Sequence, residues 1–234
     1  MTQSSASYLP AVILISGKGT NLQAIIEAVR LNDLPLNIRA VISNRPRAAG
    51  LAIAQQSDIP TEILDHSLFP DRHSFDTALR QLIDRYAPGV VLLAGFMRVL
   101  STNFVAHYRG RMLNIHPSLL PAFPGLRTHQ RALTEGVKEH GASVHFVTPD
   151  VDGGPVILQA HVPVLPDDTA ETLGTRVLEQ EHIIYPEALR WFAQGRLRLV
   201  SENRQDYVLL DGKKITLGTE QSSVERSNPF TTRL

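Results

Sequence analysis

Ala11-Val-Ile-Leu-Ile15, then Ser16-Gly-Lys-Gly-Thr-Asn21, then Leu22, Ile25, Ile26 and Val29: this stretch decides the fold class of the 234-residue chain. An unbroken aliphatic run is what a strand buried on both faces requires, and interior parallel strands are built that way. The run is far too short to span a bilayer. Two glycines interrupt it, and apolar residues then recur at intervals of three and four, which gathers them on one face of a helix. The unit reads as strand, Gly-rich turn, helix.

Working outward, the same alternation repeats. Ile38 to Ile42 is a second apolar run, and Leu51, Ala52 and Ala54 mark a short helix. Thr61 to Leu64 is a third strand. Phe75, Leu79, Leu82, Ile83 and Tyr86 form an amphipathic helix that Pro88-Gly89 stops; Val90 to Ala94 and Met112 to Ile115 are two more strands. Strands alternating with helices give a parallel sheet covered on both faces. Beyond residue 117 the texture changes. Pro117, Pro121, Pro124 and Gly125 predict an ordered loop or lid over 118–130. Residues 142–147 and 156–164 read as a hairpin-like pair at the far side of the sheet. Thr169 to about Gln194 reads as a long helix, bent near Pro186, and 196–217 as short terminal strands. The expected fold class is α/β: a doubly wound, mostly parallel, Rossmann-like sheet with an antiparallel C-terminal part. One domain is expected over 1–219, divided at residue 110, with a loose tail over 220–234 rich in Ser, Asn and charge.

Composition narrows the function classes. Lys plus Arg and Asp plus Glu each number 23, so the formal net charge is zero. No global field draws in nucleic acid or an anionic membrane. The chain has no Cys, which excludes disulfides, thiolate nucleophiles and zinc–cysteine sites. The first residues, Met1-Thr-Gln-Ser-Ser-Ala-Ser, lack the basic start of a signal peptide. The expectation is a cytoplasmic protein acting on small molecules, with no nucleic-acid or membrane partner.

In a doubly wound sheet, ligands sit beyond the carboxyl ends of the strands. Three polar or Gly-rich segments fall there: 16–21, 95–98 and 114–118. In the first, Gly17 and Gly19 flank Lys18 just before a helix. Free N–H groups at a helix start bind anions, and glycine lets a phosphate approach closely. Leu22 stands where a dinucleotide fingerprint needs its third Gly, and the P-loop spacing is not met. A phosphate monoester fits better than a dinucleotide or a triphosphate. The same residues also read as a plain tight turn with a Thr or Asn cap.

The third segment carries Asn114-Ile-His116-Pro. Strand alternation puts Asn114 and His116 on one side. Histidine exchanges protons near neutral pH, and an Asn amide can donate to a developing oxyanion. Much later, Asp150-Val-Asp152-Gly-Gly-Pro155 offers carboxylates in a turn, and an Asp beside His116 would favour imidazolium. These are the parts of acyl transfer to an amine, in which the substrate supplies the nucleophile. A His before Pro and an Asp-Gly-Gly turn are also common structural devices. The pairs His140/His145 and His66/His73 make a weak case for metal, with no HExxH and no Cys, so no metal is expected. Ser118 lacks the G-x-S-x-G elbow of a nucleophile.

These residues carry a resemblance. Ile15-Ser-Gly-Lys-Gly-Thr-Asn-Leu-Gln-Ala24, Leu93-Ala-Gly-Phe-Met-Arg98, Leu113-Asn-Ile-His-Pro-Ser-Leu-Leu-Pro121, Gly141-Ala-Ser-Val-His-Phe-Val147, Asp152-Gly-Gly-Pro-Val-Ile-Leu-Gln159 and Gln180-Glu-His182 resemble the folate-dependent formyltransferases, and among them the phosphoribosylglycinamide formyltransferases. The likeness spans about residues 11 to 200. It implies 10-formyltetrahydrofolate as co-substrate and 5'-phosphoribosylglycinamide as acceptor. It implies a phosphate-binding half (11–110) and a folate-binding, catalytic half (111–219). His116 would move the proton, Asn114 would polarise the carbonyl, and Asp152 would raise the histidine pKa. Gly19, Thr20 and Asn21 would hold the phosphate, and Glu181 would contact the ribose. Met97, Arg98, Val99, Leu100, Asn114, Thr148, Pro149, Asp150, Val151 and Asp152 would line the folate pocket. Arg72 would lie near the folate glutamate tail, where its charge suits a carboxylate.

The sequence departs from the family pattern at Lys18, Thr20, Ala122 and Arg127; the last two put contacts of the Pro-rich loop in question. A formyl-folate hydrolase shares the Asn, His and Asp, but is expected to carry an N-terminal regulatory domain. A tRNA formyltransferase is expected to carry a C-terminal RNA-binding domain and a basic surface. A non-catalytic sensor of phosphosugars would have no need of the Asn114, His116 and Asp152 set. Monomer and homodimer both fit.

Overall fold

The computed structural model describes residues 8–203 and 205–216. Its centre is β1 (Leu9–Ile15), flanked by β2 (Leu36–Ser43) and, further out, β3 (Thr61–Ile63); on its other side lie β4 (Val90–Leu93) and β5 (Met112–His116). All of these pair in parallel. Then β6 (Glu139–Phe146) and β7 (Val156–Pro163) add on as antiparallel strands. The seven-stranded order is β3-β2-β1-β4-β5-β6-β7.

Both faces of β1 are buried, which explains its continuous hydrophobicity. Ala11, Ile13 and Ile15 join one core, and Val12 and Leu14 join the other. The first core is closed by α1 (Thr20–Arg30), α2 (Gly50–Gln55), α5 (Thr128–Glu135) and α6 (Ala170–Ala193). The second is closed by α3 (Arg72–Asp84) and α4 (Thr102–His107). Burying each such aliphatic side chain contributes about 1.5–3 kcal/mol, so the central strand anchors both layers. A separate three-stranded antiparallel sheet of β8 (Leu197–Glu202), β9 (Gln205–Leu210) and β10 (Lys213–Lys214) follows α6.

The α/β class, the parallel centre and the antiparallel far side match the sequence expectation. Two local points differ. The segment expected as loop over 118–130 already enters α5 at Thr128, because the Pro and Gly punctuation ends at Gly125. The six-residue helix α4 is too short to show a helical period and was not expected. The long helix expected over 169–194 is α6, and Pro186 lies inside it; the missing N–H deprives one carbonyl of its partner without ending the helix. The start of α6 is held by a capping box in which Thr169 and Thr172 satisfy each other's backbone N–H groups. The expected tail over 220–234 and the domain end at 219 lie outside the described residues.

Candidate active site

Strand order reverses direction between β1 and β4, and the crevice beyond their carboxyl ends is where a doubly wound sheet takes ligands. Two cavities open there. The first, of about 180 Å³, is lined by the whole turn Ser16 to Asn21, with Arg45, Gly95 and Met97. Gly19 has φ of +80°, and a Cβ there would stand 2.5 Å from the Cα of Gly50. The Gly50 N–H in turn donates to the Gly17 carbonyl at 3.0 Å. The turn is thus pinned against the start of α2 while its own N–H groups begin α1. Lys18 and Arg45 are exposed on its rim, and neither is paired with a carboxylate among the described residues. Such a turn suits an anion.

Gly19, Thr20 and Asn21 line this cavity as expected from the sequence. Glu181 stands behind them: the Asn21 amide donates to its carboxylate at 2.6 Å. Burial raises the Glu181 pKa, and the bond from Asn21 partly opposes the shift.

The second cavity, of about 420 Å³, brings together Met97 to Leu100, Asn114, His116 and Thr148 to Asp152. It shares Gly95 and Met97 with the first. Arg72 is exposed at the first position of α3 and does not line it. Arg98 does; its guanidinium lies 4.8 Å from the Phe75 ring centroid, and its Nε is buried without a protein partner.

The polar centre is built by strand geometry. On β5, Leu113 and Ile115 turn into the first core, so Asn114 and His116 face the other way, into the cavity. Asp152 comes from the turn after β6, at φ of +51°. Its Oδ2 lies 3.4 Å from His116 Nδ1 and accepts the Gly125 N–H at 2.8 Å. The other ring nitrogen of His116, Nε2, is 3.0 Å from the Phe123 carbonyl oxygen. Both nitrogens therefore face acceptors, an arrangement that two N–H groups on the ring would satisfy. Asn114, His116 and Asp152 thus converge from distant parts of the chain.

Sequence reasoning missed several participants. His145 is directly opposite Asn114 in the antiparallel register and lies 3.0 Å from its amide nitrogen. The cross-strand register that brings them together leaves no mark in either strand's own sequence. Phe123 and Gly125 act through backbone atoms, which no residue type announces. Arg45 follows β2 at a strand end, and that position was its one available signal. His129 also lines the second cavity, its Nδ1 lies 3.2 Å from His140 Nε2, and burial holds His140 down at about 4.

The sheet order, the crevice and this polar centre define a formyl transferase. The chain belongs to the formyl transferase family, which it matches over residues 10–189. It is 53% identical over 204 residues to the phosphoribosylglycinamide formyltransferase of Escherichia coli, covering 87% of this chain and 94% of that protein. A solved phosphoribosylglycinamide formyltransferase from Coxiella burnetii superimposes with a TM-score of 0.83 at 58% identity, covering 89% of this chain and 96% of that one. A more distant neighbour is the formyltetrahydrofolate deformylase of Burkholderia mallei, with a TM-score of 0.77 and 27% identity over 88% of this chain and 70% of that one.

Proposed function

We propose that the protein transfers the formyl group of 10-formyltetrahydrofolate to the amine of 5'-phosphoribosylglycinamide, giving formylglycinamide ribonucleotide and tetrahydrofolate in de novo purine biosynthesis. The observation that carries this reading is the convergence of Asn114, His116 and Asp152 on the wall of the second cavity, next to an anion-suited turn. Gly19, Thr20 and Asn21 hold the phosphate, and Glu181 meets the ribose. Met97 to Leu100 and Thr148 to Asp152 embrace the folate. Arg72 stays the candidate for the glutamate tail, while Arg98 lines the folate cavity. The reading includes a cytoplasmic enzyme of small-molecule substrates, one domain in two halves (11–110 and 111–219), acting as a monomer or homodimer.

The neutral amine attacks the formyl carbon, and the new C–N bond places negative charge on the formyl oxygen. Asn114 donates to that oxygen, and the Nε2–H of His116 exchanges the Phe123 carbonyl for it. The bond from the formyl carbon to the folate nitrogen then breaks. The proton lost by the amine passes through water to the leaving nitrogen, with His116 handling it under the charge of Asp152.

The test mixes protein, 10-formyltetrahydrofolate and 5'-phosphoribosylglycinamide and follows tetrahydrofolate by absorbance, with an acceptor-free control. Product that needs the acceptor is expected; product without it would mark a hydrolase like the deformylase neighbour. Asp152→Ala is expected to lower kcat by about 10²-fold or more while phosphate-ligand affinity changes by less than about 2-fold. Equal loss of both would remove Asp152 from its role.

A further inference from the structure

We infer that His145 is a positioning residue for the transfer step: its Nε2 accepts a hydrogen bond from Asn114 and so fixes which way the Asn114 amide faces. The inference rests on the formyl-transfer reading above. Asn114 and His145 are directly opposed across β5 and β6, which sets their side chains on one face within reach of each other. A bulge in the β6–β7 pairing falls between Val144 and His145, a device that re-aims a side chain beside a site.

The proton count follows from the partners. His145 Nδ1 lies 2.9 Å from the Phe146 carbonyl oxygen, which can only accept, so Nδ1 carries the hydrogen. The ring is almost wholly buried, and burial holds its pKa down at about 4. In the neutral ring Nε2 is a bare acceptor, and the Asn114 amide nitrogen stands 3.0 Å away. Turned the other way, the amide would set its oxygen against that lone pair. One amide hydrogen is therefore committed to His145, and the second is left to donate to the formyl oxygen. Asp152 Oδ1 is 3.8 Å from the same Nε2 and would welcome a proton there. That proton would confront the amide N–H, donor against donor, and charge a buried ring with His116 close by.

A phenylalanine at 145 keeps the ring and removes the acceptor; a glutamine keeps an acceptor at the ε position. His145→Phe is expected to lower kcat by about 10- to 100-fold, with KM for both substrates changed by less than about 3-fold. His145→Gln should recover most of that loss. In an Asn114→Ala background, His145→Phe should change kcat by less than about 2-fold, since nothing remains to be positioned. Full additivity of the two substitutions, or unchanged kcat in His145→Phe, would overturn the inference. A ¹⁵N spectrum of the wild-type protein reads the bond without turnover: Nδ1 protonated and Nε2 bare is expected above about pH 5. A proton on Nε2 overturns the inference whatever the substrates. If wild-type protein transfers no formyl group, the function above has failed, and the spectrum still decides the hydrogen bond.

Discussion

Glu181 is a carboxylate kept where carboxylates are expensive. It is 7% exposed, its pKa is raised by burial, and one amide from Asn21 is the hydrogen bond it receives. A raised folded-state pKa stabilises the protein below the unfolded value of 4.5 and loses that contribution as pH climbs. Glu181→Gln keeps an oxygen for Asn21 and sheds the charge. Near neutral pH it is expected to raise the unfolding midpoint by roughly 2–4 °C, the shift that about 1 kcal/mol produces in a chain of this size. The gap between the two proteins should close as pH falls toward 4.5, and a thermal scan against pH checks both. The same substitution should weaken acceptor binding, because a carboxylate accepts ribose hydroxyls more strongly than an amide does. At this scale strand alternation set Asn114 and His116 on one side of β5, and the resemblance supplied their roles. Asp152 came through the resemblance, since chain distance hid its contact with His116.

At the level of elements, the turn after β1 depends on two glycines touching. The Cα of Gly50, at the head of α2, leaves no room for a side chain on Gly19. Gly19→Ala meets that backbone and a φ that L-residues avoid, and is expected to destabilise the fold by about 3 kcal/mol. Chemical denaturation measures that loss, and phosphate-ligand binding should fall with it. The β-α rhythm of the first half made these elements readable, because β1 and β4 are apolar throughout, β2 carries an apolar run in its second half, and each long helix has one apolar face. α4 and α5 escaped: one is six residues long, and the other begins directly after a Pro-rich loop. The neighbour order of β6 and β7 followed from their closeness in sequence. The register that opposes His145 to Asn114 did not.

Across the whole molecule, the two cavities are not independent. Gly95 and Met97 wall both of them, and the Met97 N–H donates at 2.8 Å to the hydroxyl of Ser16, which begins the Gly-rich turn. A ligand that orders one cavity therefore helps order the other. Saturating phosphorylated acceptor is expected to tighten binding of a non-reactive folate analogue by about 5-fold or more, with the reciprocal effect equal in size. Calorimetric titration in both orders reads this coupling, and Ser16→Ala should shrink it. This dependence was invisible in the sequence, where Ser16 and Met97 stand 81 positions apart.

The long helix α6 draws these pieces together. Glu181 reaches Asn21 at the phosphate turn, and four residues on, the Tyr185 hydroxyl lies 3.1 Å from the Leu93 carbonyl oxygen and 3.2 Å from that of Leu113. Those carbonyls belong to β4 and β5, the strands that deliver Met97 and Asn114. Four residues of helix rise about 6 Å and return to the same face. In the proposed reaction, one rigid turn of backbone thus works as a ruler, laid between the sugar end of one substrate and the reacting end of the other, and its graduation is set in hydrogen bonds.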